Sequence, residues 1–256
     1  MKKVIVIFIA VFFCQLSIAQ EERQDLKDSP ISFSADLKTN HLWRGLIITD
    51  KPMLGVITTI KLNKSGSFTG GFWGGMAFSN DSDGTHYKEI NYYMQYASNG
   101  FSIGLWDLFN TRNAVDPDAW DYDKNSTGHL LDLRTSYNFG EKFPLRLEAD
   151  VLLYGRGDAQ LEGGDLEQRY STYVEASYPL ISESKVDLKA FVGGAFSFNG
   201  DTHLYGDGQE NFDLVNIGLT ASKTLKLLDL RIPVSATTLW NPSLKVARVQ
   251  LAAKIF

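Results

Sequence analysis

The feature that most constrains this chain is strict alternation kept up over long segments. In residues 143–155, Leu145, Leu147, Ala149, Val151 and Leu153 share one side of an extended chain, while Arg146, Glu148 and Asp150 share the other. Successive side chains of a strand point to opposite faces, so the segment reads as a two-faced strand. The pattern recurs from residue 31 to the last residue, and helical periodicity is nearly absent.

Twelve strands are expected, at 31–48, 54–63, 67–79, 86–97, 100–110, 129–139, 143–155, 168–180, 185–198, 212–223, 227–239 and 244–256. Alternation alone fits two folds. A water-soluble sandwich would bury the apolar row in a core, and a membrane barrel would turn it to lipid. Three features favour the barrel. Ordinary strands centre on about five or six residues and membrane-crossing strands on about nine to eleven, and these segments are of the longer kind. Short turns (64–66, 98–99, 140–142, 182–184, 224–226) alternate with long connections (80–85, 111–128, 156–167, 199–211), the connections near Asp50-Lys51-Pro52 and Asn241-Pro242 being short exceptions. Aromatic residues gather at both strand ends: Trp43, Phe78, Tyr87, Phe109, Tyr154, Phe198 and Trp240 on the loop side, and Phe68, Phe101, Phe139, Phe143 and Tyr178 on the turn side. The expected fold is an all-β, transmembrane, antiparallel up-and-down β-barrel of about twelve strands.

The start of the chain sets its expected destination. Lys2 and Lys3 precede an apolar run from Val4 to Phe13, and Ser17-Ile18-Ala19 offers small residues for cleavage. This reads as a secretory signal over residues 1–19, too short to span a bilayer, followed by a short N-terminal periplasmic segment over 20–30 and the barrel over 31–256. Cys14 is the only cysteine, it follows Phe13 rather than the small residue an acylation site needs, and it falls in the discarded leader. The chain after the leader therefore has no disulfide framework.

Charge then sorts inside from outside. Arg146 on the lipid side at the bilayer midplane would cost about 2–4 kcal/mol, so the leucine row belongs outside and the charges inside. The same parity places Asp36, Lys38, Arg44, Glu89, Asp132, Arg134, Arg146, Glu148, Asp150, Arg169, Glu175, Asp187, Lys189, Asp229 and Arg231 along the lumen, their signs nearly balanced. A tight turn at Gly140-Glu141-Lys142 would set Arg134 opposite Glu148. About eight strands leave an interior that side chains fill and about sixteen leave an aqueous channel; this barrel lies between the two. Phe256 is an aromatic ending of the barrel kind, on the parity of Arg248, Gln250 and Lys254.

Other motifs weigh less. Gly100-Phe101-Ser102-Ile103-Gly104 spells a nucleophile elbow but opens a strand, where the motif needs a strand, turn and helix. Asp121-Tyr122-Asp123-Lys124-Asn125 begins like a calcium loop but has Ser126 at the glycine position and Asp132 at the last. Arg156-Gly157-Asp158 reads as chance, and His41, His86, His129 and His203 lie on separate hairpins. The long loops are acidic and read as a solvated surface, or as a divalent-cation surface among lipopolysaccharide.

Within residues 34–110, Thr39-Asn40-His41-Leu42-Trp43-Arg44-Gly45 with Thr49, the strand Gly70-Gly71-Phe72-Trp73-Gly74, and Glu89-Ile90-Asn91-Tyr92-Tyr93 resemble the TorF-family porins. Asn40 and His41 stand where that family's motif carries an acidic residue and an aromatic. The resemblance implies a Gram-negative outer-membrane barrel of about this size, with Arg44 and Glu89 at the mouth or in the lumen. The leading expectation is a porin-like channel for passive diffusion of small solutes in the bacterial outer membrane, without enzymatic activity. The alternatives are a closed barrel serving as a surface-binding or structural protein, an outer-membrane hydrolase and a soluble periplasmic sandwich. The implied partners are outer-membrane lipid and lipopolysaccharide, small solutes and the barrel-assembly machinery. No cofactor and no metal are implied, and the net charge of −5 argues against nucleic acid.

Overall fold

The alternating segments become β-strands that close on themselves. The computed structural model describes residues 29–111, 117–162, 164–182 and 185–256. The strands are β1 (Ile31–Lys38), β2 (His41–Trp43), β3 (Leu46–Thr49), β4 (Met53–Lys61), β5 (Phe68–Ala77), β6 (Lys88–Ser98), β7 (Phe101–Asn110), β8 (His129–Asn138), β9 (Arg146–Tyr154), β10 (Ala159–Glu162), β11 (Asp165–Gln168), β12 (Ser171–Ser182), β13 (Asp187–Ser197), β14 (Phe212–Leu227), β15 (Leu230–Asn241) and β16 (Val246–Lys254). Twelve form a closed antiparallel barrel in the order β1, β16, β15, β14, β13, β12, β9, β8, β7, β6, β5, β4, back to β1. β2–β3 and β10–β11 are two separate hairpins inserted in loop-side connections. The expected signal segment and most of the expected N-terminal segment lie outside the described residues.

Closure removes every sheet edge, and the barrel's two faces then differ as the alternation requires. The outer face carries Phe33, Leu37, Phe72, Ile90, Met94, Leu105, Leu147, Leu153, Leu219 and Leu251, all exposed. An apolar band of this extent is compatible with a lipid surround. No helix among the described residues is long and apolar enough to cross a membrane.

Several expectations need correction. The first segment does not run from 31 to 48: β1 ends at Lys38, and residues 39–52 form a long connection containing the β2–β3 hairpin, not a short loop. The β8–β9 register is displaced by two residues, pairing Arg134 with Asp150 and Ser136 with Glu148. The turn at 140–142 is in fact wider: Phe139 N donates to the Leu145 carbonyl at 3.0 Å. β14 continues through 224–226, and the turn is Leu228-Asp229, where Leu228 takes a positive φ of 55°. Phe256 lies beyond β16 and escapes its parity: the ring meets Phe33 of the outer row edge-on at 5.2 Å.

Only part of the loop-side aromatic set is exposed. Phe78, Phe198 and Trp240 are exposed, whereas Tyr87 and Phe109 are buried and Trp43 packs inside against Tyr205. On the turn side Phe139, Phe143 and Tyr178 form a continuous ring cluster, with centroids 5.9 and 6.2 Å apart.

Candidate functional site

After Lys38 the chain leaves the wall and turns into the barrel. Asn40 pins the departure to β16 from within: its Nδ2 donates to the Val249 carbonyl at 2.8 Å, and Gln250 Nε2 donates to its carbonyl at 2.7 Å. The β2–β3 hairpin follows, with Trp43 opposite Leu46 across the two-residue turn Arg44-Gly45. Both turn residues have positive φ, 47° and 87°, as a tight hairpin turn of the primed type requires. Gly45 is required by space as well, because a Cβ there would strike the Val215 carbonyl on the opposite wall.

The turn delivers Arg44 across the lumen. Its Nη2 lies 2.8 Å from Asp132 Oδ2 and 2.7 Å from Asp150 Oδ2. Its Nη1 donates to Asp132 Oδ1 at 3.2 Å and to the Tyr205 hydroxyl at 2.9 Å. Both carboxylates have 0% side-chain exposure and Arg44 has 6%. Asp132 also accepts from Arg134 Nε at 2.7 Å. A forked guanidinium between two carboxylates is among the strongest polar clasps, and in a buried site neither side can be left alone cheaply.

A second loop completes the closure. Residues 199–211 dip inward, so Tyr205 is fully buried with Leu152, Tyr173, Ala195 and Val215, and Trp43, Leu46 and Leu204 pack against this cluster. Asn241 on β15 ties both intruders together, donating to the Gly45 carbonyl at 3.2 Å and the Tyr205 carbonyl at 3.1 Å. On the other side of the hairpin, Ile48 and Trp73 pack against buried Met53, Ala77 and Tyr87, and His41 stacks on Trp73 at 5.4 Å.

Between hairpin and wall lies a cavity of about 350 Å³, lined by residues that include Trp43, Leu46, Trp73, Trp106, Leu108 and Leu130 and by the polar Lys38, His41, Glu89, Asn91, Asn110 and Arg134. The inward rows of β9 and β13 then show a gradient. Asp150 and Leu152 are buried on the loop side, Glu148 and Arg146 half-buried below them; Ser197, Ala195 and Gly193 are buried, and Lys189 and Asp187 exposed near the turns. The lumen is packed on the loop side and wet on the turn side.

The residues expected along the lumen separate accordingly. Arg44, Asp132, Asp150 and Arg134 meet in the clasp. Arg146 bonds Glu148 a level below, and Glu175 accepts from Tyr173 at 2.5 Å and Asn216 at 3.2 Å. Glu89 accepts from Tyr87, Asn91 and Asn110. Asp36 and Lys38 lie half-buried on β1, and Asp187, Lys189 and Arg231 are exposed toward the turn side. Two residues belong elsewhere. Arg169 sits outside the barrel strands between β11 and β12, its Nε 3.9 Å from Asp158, and Asp229 occupies the β14–β15 turn. Parity failed at both because each lies past the end of its strand.

The remaining motifs are absorbed by structure. Asp158 of the Arg-Gly-Asp tripeptide is buried; burial holds its carboxyl above the ordinary range, against the pull of Ser171 and Arg169. Ser102 bonds Ser136 across two strands at 2.8 Å. Asp132, the last position of the calcium-like run, is committed to Arg44. His129 bonds Asp107 at 2.7 Å, and His86 bonds Asn80 at 2.9 Å. His203 stands 3.2 Å from Asp213, and its ring is held neutral by burial, which lowers its pKa. Sequence reasoning missed Tyr205, Tyr173 and Asn241 as interior anchors. No protein-family model matches this chain, and no curated protein matches it either.

Proposed function

We propose that this protein is an outer-membrane barrel for small solutes that is closed at rest, its loop-side half stopped by the β2–β3 hairpin and conducting only when that hairpin is displaced. The apolar outer band and the arrangement of short turns and long loops support the outer membrane, with the turns toward the periplasm. One observation supports the closed state: Arg44 of the hairpin bridges Asp132 and Asp150 with both carboxylates at zero exposure, so the hairpin is seated against the inner wall at that level. The resemblance to TorF-family porins supports a solute role but not a permanently open pore.

Planar-bilayer conductance of refolded protein tests this reading. Wild type is expected to be silent or to open in rare steps, and Arg44→Ala to show sustained conductance. Steady wild-type channels that Arg44→Ala leaves unchanged would refute it.

A further inference from the structure

The cavity beside the hairpin has walls of one chemistry and two charged ends of another. Trp43 and Leu46 of the hairpin and Trp73, Trp106, Leu108 and Leu130 of the wall give it a largely apolar lining, with Tyr93 stacked on the Trp106 ring at 4.2 Å. Its volume of about 350 Å³ lies at the small end of the range for sites that enclose organic molecules.

One end is Glu89. Its carboxylate accepts from Asn91 Nδ2 at 2.8 Å, Asn110 Nδ2 at 3.0 Å and the Tyr87 hydroxyl at 3.2 Å. These donors are all neutral, and Glu89 forms no ion pair among the described residues. A carboxylate so placed, fixed in direction and paired with no cation at contact distance, Arg134 acting on it only through space, is a seat for an ammonium group.

The other end is cationic. Arg134 lies over the Trp106 ring at 4.1 Å with its Nε fixed to Asp132, and its terminal nitrogens hydrogen-bond to no described residue. Lys38 also lines the cavity and forms no ion pair among the described residues. The Trp106 indole N–H is buried without an acceptor. Two cations and a buried N–H without an acceptor would suit an anionic oxygen.

We infer that this cavity is a binding site for a small zwitterion with an apolar body, of the amino-acid or dipeptide class. The ammonium sits at Glu89, the carboxylate at Arg134 and Lys38, and the side group lies between the tryptophans. The inference goes beyond the closed-channel reading, because binding requires no passage of solute.

The test is a titration of the full chain in detergent micelles, read by tryptophan fluorescence and calorimetry. The probes are the dipeptide Gly-Phe, phenethylamine, 3-phenylpropionate and glucose. Gly-Phe is expected to bind saturably, with each singly charged analogue at least tenfold weaker and glucose giving no signal. Glu89→Gln, which keeps the shape of the side chain, is expected to weaken Gly-Phe at least tenfold, and Leu130→Trp, which fills the cavity, to abolish binding. Circular dichroism and heat-shifted gel migration establish that each variant is folded. Absence of saturable Gly-Phe binding, equal binding of a singly charged analogue, or unchanged affinity in folded Glu89→Gln would each overturn the inference. None of these outcomes bears on conductance, so the two readings fail separately.

Discussion

Asp150 and Lys189 both stand on inward rows of the same barrel, yet one is fully buried and the other exposed. The wall does not explain the difference, since both ride on strands with the same alternation and the same outward-facing apolar row. What differs is the chain that returns from the loops. On the loop side two intruding segments bring aromatic rings and a guanidinium into the lumen, and the interior packs like a protein core. On the turn side the connections are short, no described segment folds back, and the charges stay exposed. Alternation dictates the outside of such a barrel, whereas loop length dictates the inside.

The strongest way to break this contrast is at the clasp. Arg44→Ala leaves two carboxylates with no exposure facing each other without their shared guanidinium. The docking of the hairpin is expected to weaken by about 3–5 kcal/mol, the usual cost of stranding a buried charge. Limited chymotrypsin digestion should then cut after Leu42 or Trp43, which the native barrel protects. A smaller loss is expected from Tyr205→Ala, which empties a fully buried ring position and removes one Arg44 bond, at about 3 kcal/mol. Proteolysis within 199–211 should rise while the barrel strands keep their circular dichroism.

Acid should act on the same side more gently. The folded state lowers the pKa of His203, chiefly by burial, so its stabilising contribution is complete above the ordinary histidine pKa of about 6.5 and is lost as pH falls through the folded value. Melting of the loop-side half should therefore begin earlier at pH 5 than at pH 7.5, and His203→Gln should flatten the difference. The least effect on stability is expected on the turn side. Lys189→Glu should change it by no more than about 0.5 kcal/mol, while shifting the reversal potential toward cations once the plug is opened by Arg44→Ala.

The wall was legible in the sequence because lipid enforces it residue by residue: a charge on the outer row is intolerable, so the period of two survives along the strands. The hairpin was less legible for the opposite reason. Leu42, Trp43, Leu46, Ile47 and Ile48 are apolar on both parities, which contradicts a two-faced strand and marks a segment enclosed on both sides. That signal, with Arg44-Gly45 at a turn demanding positive φ, was present but was masked by continuity with β1. Register at β8–β9 was not legible, because pairing Arg134 with either Glu148 or Asp150 satisfies the same charge rule; the interior clasp with Arg44 decides in favour of Asp150. Tyr205 had no local signal at all, since its burial comes from contacts with β2, β12 and β14 that no spacing announces.

Hydrogen exchange of the amides in 41–49, compared with those of the loop-side residues 117–128, tests the plug most directly. The hairpin is expected to exchange as slowly as the barrel wall and to lose that protection in Arg44→Ala. Exchange as rapid as in 117–128, and indifferent to Arg44, would mean that the hairpin is not seated in the lumen and that the barrel is not closed by it.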